Sequence, residues 1–351
     1  MRRRDVWWGT LAVILGWCVV SLAGCSSAES STGSATADRS ASRYAGSGPI
    51  EAVATTGMVA ELIRNVGGDR VRVTQLCGAG VDPHLFKATR DDLCAVIRGD
   101  ILFVSGLHLE GKLALVLKRL ESKRPVIAVA ERLPRERLVF PPDAAGAPDP
   151  HAWNDVSAWS EAAAIVAEAL AEFDPQYAAH YATQAAVWRD RLARLHEYGR
   201  EVVASIPAER RVLVTSHDAF HYFGRAYGVE VLAAQGLSTE SEAGLARINA
   251  LVDVLVERKI PAVFVESSVP AKSIEALVEG AAARSHRVTI GGELFSDAMG
   301  SAGTYEGTYE GMLDHNLTVV ARALGGTAPP GGFGGRLGQS ERVGPAERTG
   351  S

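Results

Sequence analysis

Basic charge is in short supply in this sequence: 36 Lys and Arg stand against 41 Asp and Glu, giving a net charge of −5 and a pI near 6.0. That leaves no cationic surplus with which to neutralise a phosphate backbone, which argues against nucleic-acid binding. Cysteine is scarce too. Cys18, Cys25, Cys77 and Cys94 follow neither a CxxC spacing nor the density of a disulfide scaffold, so sulfur is not expected to organise the fold. Stability must then come from a packed core. With 47% hydrophobic residues in 351, the chain can bury one across about two domains, which excludes a wholly disordered protein.

What is present begins with a targeting pattern. Arg2, Arg3 and Arg4 precede an apolar run from Val6 to Ala23, and the run ends in Leu22-Ala-Gly-Cys25, followed by a Ser/Thr/Gly-rich stretch. The run reads as the n-region and h-region of a secretory signal over residues 1–24. The small residues before Cys25 resemble a lipobox, in which the thiol is acylated before cleavage. The expectation is an extracytoplasmic chain held to the cell membrane by a lipid on Cys25, with residues 25–49 as a flexible tether. A single membrane-spanning anchor is the alternative, because the run approaches the roughly 17-residue minimum.

Beyond residue 49, short β-branched runs alternate with helical patterns. Strands are expected at 71–76, 101–104, 126–129, 212–215, 229–232, 262–265 and 287–290, with helices near 57–67, 89–98, 110–120, 242–257, 270–284 and 306–324. Strand then helix, repeated, predicts an α/β architecture with parallel sheets. The alternation lapses between about 155 and 206, where Tyr177, Tyr181, Ala185, Trp188, Leu192, Leu195 and Tyr198 recur at helical steps. Asp174-Pro175 is a good helix start and Ile206-Pro207 a good stop, so 175–206 is expected to be one long helix joining an N-terminal lobe (50–174) to a C-terminal lobe (207–325). Two shorter helices with a break near Gly199 are the alternative. Residues 326–351, rich in Gly, Pro, Ser, Arg and Glu, are expected to be a disordered tail.

Ligands of α/β proteins gather beyond the carboxyl ends of the strands. The expected strand ends lead into Cys77-Gly-Ala-Gly-Val-Asp-Pro-His84, Asp149-Pro-His151, Ser216-His217-Asp218 and Gly291-Gly-Glu-Leu-Phe-Ser-Asp297. Three imidazoles and one carboxylate thus come from four separate loops, which reads as a metal site assembled in a cleft. Nitrogen donors with one carboxylate suit a divalent first-row ion, whereas Ca2+ or Mg2+ would want mainly oxygens. In the repeated Asp-Pro-His, proline fixes the backbone before the ligand. All three imidazoles must be neutral to ligate, so protons compete with metal, and more than one is expected to be taken up per ion lost on acidification.

Ala54-Thr-Thr-Gly-Met58, Gly80-Val-Asp-Pro-His84, Ser105-Gly-Leu-His-Leu-Glu-Gly-Lys112, Asp149-Pro-His151, Thr215-Ser-His-Asp-Ala-Phe220, Val265-Glu-Ser-Ser-Val269 and Gly292-Glu-Leu-Phe-Ser-Asp297 resemble, in order, the motifs of the cluster A-I solute-binding proteins of zinc/manganese ABC transporters. The resemblance spans about 50–324. It implies two pseudo-symmetric lobes joined by a rigid helix, metal in the cleft between them, and ligand roles for His84, His151, His217 and Asp297. It implies a monomeric receptor that captures Mn2+ or Zn2+ and hands it to a membrane permease coupled to a cytoplasmic ATPase, with no enzymatic activity. Zinc-dedicated relatives often carry a His-rich loop between the first two ligand histidines. Residues 109–150 contain no His, which leans the reading towards manganese or mixed use.

Other residues attract a blander reading. His221 follows His217 by four, yet Asp218 does not complete an HExxH zincin motif. His108 is read as a packing or capping residue, and Cys77 as a buried thiol. Glu266 is either an acceptor orienting a ligand imidazole or a plain strand-end carboxylate. The rivals to a transport receptor are a zinc hydrolase, whose ion would keep an open water position, and a surface adhesin of the same fold, for which the sequence holds no feature of its own.

Overall fold

The computed structural model describes residues 43–142, 144 and 146–338. The N-terminal apolar run, Cys25 and residues 26–42 lie outside them. Four parallel strands form the first sheet, β1 (Ile50–Ala54), β2 (Val71–Gln75), β3 (Ile101–Val104) and β4 (Val126–Ala128), in the order β2-β1-β3-β4. Between them run α1 (Gly57–Gly67), α2 (Arg90–Arg98) and α3 (Ala114–Leu120). The central strand β1 was not among the expected strands. Its Ile50-Glu-Ala-Val-Ala54 carries few β-branched residues, but Ile50, Ala52, Val53 and Ala54 are all buried between flanking strands and helices.

The strandless stretch is a pair of helices, α4 (Val156–Phe173) and α5 (Ala178–Ala204), turned sharply at Asp174-Pro175. Asp155 starts α4 by accepting the amides of Ser157 at 2.9 Å and Ala158 at 3.1 Å. Helix α5 has 27 residues and so runs about 40 Å. Its stripe of Tyr181, Ala185, Trp188, Leu192 and Leu195 is buried. Gly199 lies inside α5 and does not break it: a Cβ there would come 2.7 Å from the Tyr227 ring and 2.9 Å from Leu317. The residue is small because neighbours press on it. Gly199→Ala should therefore destabilise the protein by about 1–3 kcal/mol through overpacking, against the roughly 1 kcal/mol gained in helix propensity, and a urea midpoint would show the sign.

After α5 come β5 (Val212–Thr215), α6 (His221–Tyr227), β6 (Glu230–Ala233), α7 (Leu245–Glu257), β7 (Ala262–Glu266), α8 (Lys272–Ala283), β8 (Thr289–Leu294) and α9 (Tyr309–Ala323). β5 pairs in parallel with β6 and β7 with β8, and β5 lies beside β7. Strand β8 runs four residues past its expected end, through Gly291 and Gly292. At Gly291 a Cβ would lie 2.7 Å from Ala323 of α9, so the glycine pair admits the helix against the strand. The rings of Trp159 and Trp188 each lie tilted against Tyr309 with centroids 6.5 Å apart, joining α4, α5 and α9 in one core. Among the described residues no helix is long and apolar enough to cross a membrane.

Each expected flexible segment gives up part of its length to the fold. The Tyr44 amide donates to the Phe173 carbonyl at 2.7 Å, and Arg70 lies over the rings of Tyr44 and Tyr177 while its Nε donates to Asp174 at 2.7 Å. Residues 43–49 are thus fastened to the α4–α5 turn. At the other end, the Phe333 amide donates to Asp314 at 2.7 Å and Arg336 covers Tyr305. The disordered tail expected from 326 is accordingly wrong for residues up to 338, because one aromatic and one arginine anchor the glycine-rich segment. Residues 339–351 lie outside the described residues.

Candidate metal centre

The loop after β2 ends in Asp82-Pro83-His84, and the loop before α4 repeats the pattern in Asp149-Pro150-His151. In each, the aspartate Oδ1 accepts the histidine amide two residues on, at 2.8 Å. Proline sets the backbone and aspartate closes it, so both imidazoles are placed before any ligand arrives. His217 follows β5, and its amide donates to Glu266 at the end of β7, at 2.9 Å. Asp297 follows β8. Its loop is tied to that of His151 by the Trp153 indole, which donates to the Ser296 carbonyl at 2.8 Å.

These loops bring His84, His151, His217 and Asp297 together, with one ligand atom of each inside a 4.8 Å group. All four are buried, from 0% exposed for His151 and His217 to 6% for His84. His84 Nε2 lies 3.2 Å from His151 Nε2, His151 Nε2 lies 3.4 Å from Asp297 Oδ1, and His217 Nε2 lies 3.1 Å from Asp297 Oδ2. A tetrahedron built on metal–ligand bonds of about 2.1 Å has edges of about 3.4 Å, so these spacings fit one ion.

Tautomers sharpen the point. His151 Nδ1 faces Asp149 Oδ1 at 2.7 Å and His217 Nδ1 faces Glu266 Oε2 at 2.5 Å. Each carboxylate holds the Nδ1 proton and, in a neutral ring, turns a lone pair on Nε2 inward. His217 Nε2 and both Asp297 oxygens make no hydrogen bond, although buried polar atoms almost always have one. Burial alone would raise Asp297. The imidazoles of His217, His151 and His84 outweigh it and hold the carboxyl well below the usual range. Burial pushes His84 down to about 4. Burial would also lower His217, but Glu266 and Asp297 on either side hold its pKa well above the ordinary value.

The four residues named from sequence therefore meet, and Glu266 accepts from the main chain and faces the ring of His217. Asp149 was missed as the matching carboxylate at His151, although its place in the Asp-Pro-His repeat was a signal. His221 opens α6 and His217 precedes it, so they share no helix face. His221 instead places Nδ1 3.0 Å from Asp149 Oδ2, behind His151. His108 is exposed, contrary to a packing role. Cys77 is a buried free thiol, pushed up by burial, and Cys94 is free as well.

A family model described as ZnuA, zinc-uptake complex component A periplasmic, matches residues 52–323. The manganese-binding lipoprotein MntA of Bacillus subtilis (strain 168) is 43% identical over 316 residues, 90% of this chain and 99% of that one. The zinc-binding protein TroA of Treponema pallidum (strain Nichols) is 44% identical over 272 residues, 78% of this chain and 88% of that one. The solved structure of periplasmic zinc-binding TroA from Treponema pallidum matches this fold with a TM-score of 0.76 at 44% identity, covering 79% of this chain and 99% of the other. The family match runs from the first strand to the last helix, and with the same mixed α/β fold and parallel sheets as TroA, the chain belongs to the zinc-uptake complex component A periplasmic family.

Proposed function

We propose that this chain is the extracytoplasmic receptor of a metal ABC transporter. It captures Mn2+ or Zn2+ on His84, His151, His217 and Asp297 and delivers the ion to a membrane permease driven by a cytoplasmic ATPase. One observation carries the reading: three buried atoms, His217 Nε2 and both Asp297 oxygens, converge without hydrogen bonds among imidazole nitrogens 3.1–3.8 Å away. A cation satisfies all of them at once. The names of the manganese-binding and zinc-binding relatives support it. The division into lobes at 50–174 and 207–325 across α5 belongs to the same proposal, with β1–β4 in the first and β5–β8 in the second.

Four protein donors close a tetrahedral shell and leave no water position, which separates a receptor from a zinc hydrolase. Metal analysis of the chain purified without its first 25 residues should find one transition ion per molecule and no hydrolytic turnover. An empty protein, or turnover with an exchangeable metal water, would sink the reading. Zinc should outcompete manganese in solution whichever the cell supplies, since the Irving–Williams order favours it at such donors.

Membrane attachment is assigned to Cys25, the residue that would carry the acyl chains. Cys25→Ala should leave the chain uncleaved or shed it from the membrane, with metal affinity unchanged. Fractionation followed by mass measurement checks this, and normal processing with full membrane retention would remove the lipoprotein claim.

A further inference from the structure

The turn after β3 holds three successive residues in the left-handed region: Gly106 at φ 84°, Leu107 at 54° and His108 at 66°. Leucine and histidine rarely adopt it, so something must hold them there. Two carboxylates do. Buried Glu110 accepts the amides of Ser105 at 2.7 Å and Gly106 at 3.1 Å, and Glu131 accepts that of Leu107 at 3.1 Å. The result buries Leu107 and Leu109 and turns His108 alone outward, with no hydrogen bond to its ring among the described residues. Backbone strain maintained this way is a mark of function.

His108 faces a cavity of about 190 Å³ whose inner wall includes His84. Leu107, Leu109, Pro150 and Leu237 make much of the rest apolar, and the cavity's one carboxylate, Glu240, is already paired with Lys112 at 3.5 Å. His84 is also the least restrained of the three inner histidines. The rings of His151 and His217 are each held by a carboxylate, whereas for His84 Asp82 takes only the main-chain amide. A hydrated divalent ion crossing an apolar passage must shed water with nothing to replace it, which is costly. A nitrogen donor at the mouth divides that cost into steps.

We propose that His108 is a transit ligand, the first protein nitrogen met by an incoming hydrated divalent transition cation, which it takes at the cavity mouth and passes to His84. The assignment rests on the four-donor group being the metal centre. It concerns ions that accept imidazole, so Ca2+ and Mg2+ gain nothing from it.

The test is kinetic. Stopped-flow mixing of the metal-stripped full chain with Zn2+, followed by tryptophan fluorescence, reads arrival, since the Trp153 ring lies 5.4 Å from that of His151. A chelator chase reads departure. His108→Asn keeps a residue that tolerates the left-handed backbone, and His108→Gly relieves the strain altogether. Both should slow association about tenfold, within the range of mutants of one site, and slow release by the same factor, leaving Kd within about twofold. Unchanged association in both variants overturns the proposal. Wild-type rates in the glycine variant alone assign the effect to the backbone and overturn it as well. A Kd weakened a hundredfold makes His108 part of the resting site, which contradicts transit. Failure of the wild type to take up Zn2+ is a different result, for it refutes the metal centre itself.

Discussion

Asp297→Ala should weaken Zn2+ binding by well over 100-fold, beyond the roughly 10–100-fold typical of residues that only orient a ligand. In the proposed site Asp297 is the single anionic donor, and neither of its oxygens has a hydrogen-bond partner. Without it the ion faces three neutral imidazoles and no anion. His84→Ala, His151→Ala and His217→Ala should each act in the same range, since each removes one of four donors. Glu266→Gln should fall in the 10–100-fold band because Glu266 touches His217 and not the ion. His221→Ala, one contact further out behind Asp149, should stay within about tenfold. Competition against a chelator of known affinity at fixed pH measures the series. Loss of binding in His221→Ala with retention in His217→Ala would mean that the third ligand is misassigned.

Acidification from pH 7.5 to 5 should lower Zn2+ affinity about 300-fold, or tenfold per pH unit, with close to one proton released per ion bound. His217 is the ring where protons compete hardest: Glu266 and Asp297 raise its folded pKa well above the ordinary value of about 6.5, so the competition with metal extends further up in pH than at a free imidazole. The sign follows: affinity falls wherever the free protein holds a proton there, and the dependence flattens only above the raised pKa. His84, at about 4, is already neutral across the window and adds to the slope only near the acid end. Three histidines of ordinary pKa would give a steeper fall, which is what the sequence leads one to expect. Calorimetry in buffers of different ionisation enthalpy counts the protons. Affinity independent of pH between 7.5 and 5 would contradict that competition at His217.

The difference between those slopes shows where sequence reasoning stops. The four residues that converge were legible because Asp-Pro-His occurs twice and all four follow expected strand ends. Their protonation was not, because it depends on Glu266 approaching His217 across 49 residues of chain. Alternation revealed the sheets except where packing overrode residue type: β1 has only Ile50 and Val53 as β-branched residues, and β8 continues through two glycines that read as a stop. Gly199 looked like a possible break because propensity says nothing about Leu317 lying against it. Leu107 and His108 carry no mark of left-handed backbone, which is imposed by carboxylates three and twenty-four residues away.

The fastening of Tyr44 has a mechanical consequence. A pull exerted from the N-terminal side enters the fold at Tyr44, Phe173 and Arg70, and the stacked rings, main-chain hydrogen bond and Arg70–Asp174 pair share the load there. That corner stands at the far end of α4 from His151, 18 residues or about 27 Å along the helix, and Arg70 precedes β2 where His84 lies beyond its other end. Tension is thus taken up by a helical corner one helix length from the donor loops. If the proposed attachment through Cys25 holds, the surface can tug or reorient the protein without the load reaching the four converging residues.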